Sequence, residues 1–154
     1  MKRAPARRGI RQFQPPERPR FTEAQVAALL MPIHMAIELL PLGLYAVEHA
    51  HDLAAFLTIS QLAAESCNRP DMVAHGSDAA MVLLAMRDRV EAGKGWNVTA
   101  DERERLMRAV VAIDRWFADV PLVRWQQAVA KAYRIADRER ARGAKPLEMI
   151  VEAA

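Results

Sequence analysis

The sequence predicts an all-α fold: a compact helical bundle of about five to seven helices with a disordered basic N-terminal arm. Three observations carry that expectation. Apolar residues recur every three or four positions through several long segments. Some of these segments open on helix-capping signals. Alternating apolar and polar runs are absent, β-branched clusters are short and no internal repeat is evident. At 154 residues the chain is one domain with tails, long enough to bury a core without disulfides or metals. The expected division is 1–20 as the arm, 21–143 as the helical bundle and 144–154 as a short amphipathic tail.

The arm contains Lys2, Arg3, Arg7, Arg8, Arg11, Arg18 and Arg20 against Glu17 alone, a local charge of +6. The whole chain carries +3, so the remaining residues sum to −3. Four prolines and few apolar residues keep the arm from burying enough surface to fold by itself. Arg3, Arg7, Arg8 and Arg11 are candidate contacts to the phosphates of nucleic acid or anionic lipid. The alternative is a solubilising leader, or an arm draped over its own acidic body and anchored by Ile10 and Phe13.

Residues 22–62 are the most apolar part of the chain. Thr22 and Gln25 have the capping-box spacing. Val26, Leu29, Leu30, Ile33, Ile37, Leu40 and Leu44 follow at helical spacing. Leu42, Tyr45, Ala46, His49, Leu53, Phe56 and Leu57 continue the pattern. Pro32 and Pro41 should each kink or end a helix, giving two or three pieces. Apolar residues on nearly every side predict a buried element. Residues 24–47 are long enough to span a bilayer. However, Glu38 near the centre would cost roughly 2.5–3.5 kcal/mol on insertion scales, so no membrane is expected.

Three of the four histidines lie here. His34 and Glu38 share a helix face, and Glu48, His51 and Asp52 make a Glu-x-x-His pattern. Di-metal bundles use that spacing twice with two further glutamates, and here it occurs once, so no metal and no cofactor are expected. His49, between Tyr45 and Leu53, reads as a core or interface residue.

In residues 57–75, LTISQLAAESCNRPDMVAH, Ala63 is a small residue at a position where two helices would touch. Val73 follows ten positions later as a β-branched core residue. Thr58 or Ser60 would cap a first helix, and Asn68 or Asp71 a second. Over 58–75 the pattern resembles a helix-turn-helix. The resemblance implies a recognition helix from Pro70 to about Gly76 that offers Arg69, Asp71 and His75 to a duplex. The pattern departs from that family at the turn. Cys67 stands where glycine is favoured, Ser66 and Asn68 stand where apolar residues are usual, and Gly76 takes a core position. The other reading is a helix ending at Cys67 and then a polar linker.

Ser77 is expected to cap the next helix, with Asp78 in its first turn and a stripe of Ala79, Val82, Leu83, Met86 and Val90. Arg87 and Glu91 form an exposed i,i+4 pair. Gly93 and Gly95 stop the helix, and Trp96 pins the loop to the core. Thr99 and Glu102 form a second capping box. The helix they open should run to about Ala118 with Leu106, Val110, Ile113 and Phe117 inward. Asp119 and Pro121 start a further helix with Leu122, Trp125, Val129, Ala132, Tyr133 and Ala136 as its stripe. The short connection predicts an antiparallel hairpin of these two helices. The arginines of its last turns alternate with Asp137 and Glu139, which reads as a solvated end. Leu147, Met149, Ile150 and Val151 give the tail an apolar side.

No serine sits in a nucleophile-elbow context, and GKGWN lacks the residues of a phosphate loop. Cys67 is the single cysteine, which excludes an internal disulfide and a cysteine-based zinc cluster and fits a reducing cytoplasm. No secretory leader is expected. Abundant arginine and alanine suggest a GC-rich bacterial genome. The expected function is non-enzymatic, in one of two classes. The first is a small bacterial or mobile-element regulator that binds duplex DNA through 58–75 and the arm. The second is a helical adaptor or inhibitor that docks on a protein partner. Apolar surface on the first segment makes self-association into a homo-oligomer expected.

Overall fold

A computed structural model describes residues 19–143, which form five α-helices and one 3-10 turn, with no strand among the described residues. α1 spans Glu23–Leu39 and runs into the 3-10 turn Leu40–Leu42. α2 is Val47–Ser66, α3 Pro70–Glu91, α4 Ala100–Phe117 and α5 Leu122–Ala141. The fold is all-α, with the helix number at the lower end of the expected range.

α2 is the hub. α1, α3 and α5 all pack on it, while α4 packs on α3 and α1. α1 to α4 therefore close a ring of four helices, and α5 is applied to the outside of α2. α2 serves three neighbours through one buried stripe, Ala50, Leu53, Phe56, Leu57, Ser60, Ala63 and Ala64, widened on its flanks by the half-buried Ala54, Ile59, Gln61 and Leu62.

Two helix starts follow from local chemistry. Thr22 Oγ1 accepts from the Gln25 N–H at 3.3 Å, and Gln25 Oε1 accepts from the Thr22 N–H at 2.9 Å. Thr99 and Glu102 repeat the exchange at 3.1 and 2.9 Å. Each box satisfies two backbone donors that the first turn would otherwise leave unpaired.

α4 has the clearest division of faces. Leu106, Ala109, Val110, Ile113 and Phe117 are buried at three- and four-residue spacing, and Glu104 and Arg108 pair on the wet side. At its C-terminal end Phe117 joins an aromatic cluster. The Phe117 ring lies 4.7 Å from Trp125, 4.9 Å from Phe21 and 6.3 Å from Phe56. Burying such a ring contributes about 1.5–3 kcal/mol. The cluster fixes the start of the described chain, where the Pro19 carbonyl accepts from the Leu122 N–H at 3.0 Å. Ile10 and Phe13, expected as anchors of the arm, lie outside the described residues, as does the 144–154 tail.

Several expectations need correction. Pro32 does not end α1, which continues seven residues beyond it to Leu39; Pro41 sits in the 3-10 turn that closes the segment. α1 is not buried all round. Its inner side, Leu30, Ile33, Ala36 and Ile37, is in the core, but Leu29, Met31 and Met35 are exposed, as are Leu42 in the 3-10 turn and Leu44 after it; among the described helices α2 and α4 are its main neighbours. Gly76 and Ser77 do not separate two helices. α3 runs through them, with Met72, Gly76, Ala79, Val82, Met86 and Val90 as one continuous buried row.

The α4–α5 pair is a corner and not a hairpin. Val120 is buried in the connection, Pro121 caps α5, and α5 turns away to lie on α2. Accordingly Trp125 and Ala128 are buried, but Tyr133 and Ala136 are exposed where the stripe was expected to continue.

Candidate functional site

The 58–75 segment does not have helix-turn-helix boundaries. Thr58 and Ser60 cap nothing, because both lie inside α2. Thr58 Oγ1 donates to the Ala54 carbonyl at 2.8 Å, and Ser60 Oγ is buried with no hydrogen-bond partner among the described residues. α2 ends in a Schellman motif: the Arg69 N–H donates to the Ala64 carbonyl and the Asn68 N–H to the Glu65 carbonyl. Asn68, at φ 55°, takes the left-handed position that the sequence reading had placed at Cys67. Neither Asn68 nor Asp71 caps α3, whose N-cap residue, Arg69, makes no side-chain capping bond.

The helices then run antiparallel, side by side. Ala50, Ala54, Thr58 and Gln61 of α2 and Gly76, Ala80, Leu84 and Arg87 of α3 line one shared groove. Gln61 Nε2 donates to Ser77 Oγ at 3.2 Å, and a Cβ on Gly76 would stand 3.3 Å from Gln61 Cβ. Gly76 thus lets the two helices close at this end.

The expected duplex-reading residues are engaged with each other. Arg69 Nε and Nη2 donate to the two Asp71 oxygens at 2.9 and 2.7 Å, and the guanidinium lies 5.8 Å from the Trp116 ring centre. That fork, made at the first turn of α3, brings the Asp71 carboxyl down to about 2. Arg69 therefore presents a neutralised pair at the helix start, and Asp71 adds an acid where phosphates would approach. His75 is half-buried further along α3. Arg3, Arg7, Arg8 and Arg11 lie outside the described residues.

The His34–Glu38 and Glu48–His51–Asp52 groupings do not converge on a metal. His34 Nε2 and Asp114 Oδ2 are 3.3 Å apart across to α4, and Glu38 accepts from Arg103 Nη2 at 3.2 Å. Among the described residues no three His, Cys, Asp or Glu side chains stand together as metal ligands would. His49 is a cap residue, its Nδ1 accepting from the Ala46 N–H at 3.0 Å with its ring 5.6 Å from Tyr45. Burial, with the nearby Asp52 charge, raises the Tyr45 hydroxyl well above its ordinary value. Trp96 packs edge-on against Tyr45 at 5.4 Å and so holds the α3–α4 loop to the core.

What the fold does bring together is a pair of apolar grooves astride α2. One, of about 310 Å³, lies between α2 and α3 with Trp96 among its lining residues. The other, of about 340 Å³, lies between α2 and α5. Ala54 and Thr58 line both. Leu84, Tyr133 and Ile135 stand on the walls with substantial exposure. The sequence reading missed this surface. Its signal is the small residues Ala50, Ala54 and Thr58 on α2 facing Gly76 and Ala80 on α3, each four apart.

Ion pairs frame the bundle elsewhere. Arg105 binds Asp78 between α4 and α3 and lowers its carboxyl. Arg89 makes a two-pronged contact with Glu102 at 2.9 and 2.8 Å. Burial alone would raise Glu102, but the Arg89 fork and the Thr99 cap outweigh it and hold the carboxyl below its ordinary range. No protein-family model matches the chain, and no curated protein or solved structure does so either.

Proposed function

We propose that this chain is a non-enzymatic helical interaction module that takes an amphipathic helix of a protein partner into the double groove astride α2. The observation that carries this reading is the groove lining itself: small residues along α2, apolar walls from α3 and α5, and exposed Leu84, Tyr133 and Ile135 at the rim. Grooves of this volume fit side chains of a helix whose apolar residues recur at i, i+3, i+4 and i+7.

The test is selection from a library of helix-forming peptides. Enriched peptides should show that periodicity, bind in the micromolar range and lose binding to a Thr58→Arg/Leu84→Asp variant. Peptides without the pattern, or peptides that bind parent and variant alike, would sink the reading.

The duplex-binding alternative now draws its support from the arm alone, because Arg69 and Asp71 occupy each other. It predicts that the full chain shifts duplex DNA at low salt, that deletion of residues 1–20 abolishes the shift, and that Arg69→Ala leaves it unchanged.

A further inference from the structure

One side of α1 is committed to the bundle and the other is not. Leu30, Ile33, Ala36 and Ile37 are buried, whereas Ala24, Ala28, Met31, Met35 and Glu38 are all exposed. These five recur at steps of four, three, four and three residues, the 3.5-residue period of a helix–helix seam. At 3.6 residues per turn they fall within an arc of about 80°. Leu42, exposed in the closing 3-10 turn, follows four residues later. Met31, Met35 and Leu42 are each more than half exposed. The stripe is graded along its length. Alanine stands at the N-terminal end, methionine in the middle, and glutamate and leucine at the C-terminal end.

We propose that this stripe is the seam of an antiparallel, two-fold homodimer, in which α1 of one copy lies along α1 of the other. With the axis level with residue 33, Met31 meets the partner's Met35, Ala28 meets the partner's Glu38, and Ala24 meets the partner's Leu42. Each pair then occurs twice, as a two-fold interface requires. Every long side chain toward the C-terminal end has an alanine opposite, so the helices approach evenly along about 27 Å.

Charge and size decide the direction. A parallel pair would stack Glu38 on the partner's Glu38 and set alanine on alanine, leaving two repelling carboxylates at one end and a gap at the other. The antiparallel pair holds the two carboxylates about 15 Å apart. On the α4 side Arg103 Nη2 donates to Glu38 at 3.2 Å, and an alanine opposite leaves that ion pair intact. The same carboxylate decides against a bilayer, which would take the whole stripe, Glu38 included, into its apolar boundary. The stripe, with the exposed Ala27 beside it, presents on the order of 500 Å² per copy, so pairing buries about 1,000 Å² in total, the size of a weak and reversible dimer. Its dissociation constant should be micromolar. Below that concentration the outer side of α1 is open to small reagents.

The experiment is sedimentation equilibrium of the full-length chain under reducing conditions, from about 1 to 100 μM, with variants at the two methionines. The parent should pass from monomer to dimer across that range. Met31→Glu/Met35→Glu sets like charges face to face and should weaken the dimer at least about tenfold. Met31→Glu/Met35→Lys sets glutamate against lysine twice in the antiparallel pair and should recover most of that loss. In a parallel pair it would set like on like and recover nothing. Both positions are exposed, so circular dichroism should show both variants folded. The Thr58→Arg/Leu84→Asp groove variant should dimerise like the parent, which separates this seam from the groove proposed above. Three results overturn the proposal. One is a parent that stays monomeric at the highest concentration, whether or not it binds vesicles or another protein. Another is a dimer indifferent to the double-glutamate change. The third is a charge-swapped variant as dissociated as the double-glutamate one.

Discussion

α4 and α1 are both about five turns long, and their sequences lead to opposite lessons. α4 alternates charge and apolar bulk at helical spacing, and its apolar row is the row that is buried. The pattern names the face because a charged side chain at any other register would be forced into the core. α1 is apolar on nearly every side, so its pattern names no face. Among the described helices α2 and α4 pack on one side, and Met31 and Met35 on the other are exposed. Uniform apolarity therefore does not establish burial. It shows that a helix has more apolar surface than its own fold needs to cover.

The contrast can be broken most forcefully at the aromatic cluster. Phe117→Ala should cost about 3–5 kcal/mol in denaturant unfolding, since the side chain is fully buried among Phe21, Phe56 and Trp125. Ile37→Ala, on the inner side of α1, should cost about 2–5 kcal/mol. If Ile37→Ala proved neutral, α1 would not be part of the core.

The next effect is electrostatic. Glu102→Gln removes the charge facing Arg89 while leaving a capping amide, and should cost about 1–3 kcal/mol at neutral pH. Asp71, Asp78 and Glu102 all hold their protons less tightly than the ordinary 3.8 and 4.5. Each therefore contributes stability that is present above its unfolded value and lost as pH falls through its folded one. Unfolding midpoints should decline from about pH 5 toward pH 2, and Glu102→Gln should flatten that decline. A chain whose stability rose on acidification would contradict these pairings.

Ser60→Ala should raise stability by roughly 1 kcal/mol, because it removes a buried hydroxyl that has no partner among the described residues. At the small end, Met35→Ala should change stability by less than about 0.5 kcal/mol despite lying two residues from Ile37.

The parts of this fold that the sequence made legible are those decided within a few residues. Thr22 with Gln25 and Thr99 with Glu102 cap where they were expected to, and the α4 stripe is the buried stripe. The parts that were not legible depend on what lies across the gap. Gly76 and Ser77 read as a break, yet α3 continues because the bare Gly76 allows Gln61 to approach and Ser77 to bond it. Four residues between α4 and α5 read as a hairpin, but buried Val120 and the ring cluster turn the chain onto α2. At the site, residue types suggested that Arg69 and Asp71 face outward as a reading pair. Their bond to each other could not be inferred from spacing, nor could the grooves beside Ala54 and Thr58, which exist only once α3 and α5 are both in place.

The central claim is that α1 has a buried side and an uncovered apolar side within the folded chain. Thiol labelling tests it most directly. In a Cys67→Ser background, single cysteines are placed at Met31, Ile33, Met35 and Ile37 and their reaction rates with a soluble maleimide compared. Rapid labelling is expected at 31 and 35 and strong protection at 33 and 37. Equal protection at all four positions, or equal labelling at all four, would contradict it.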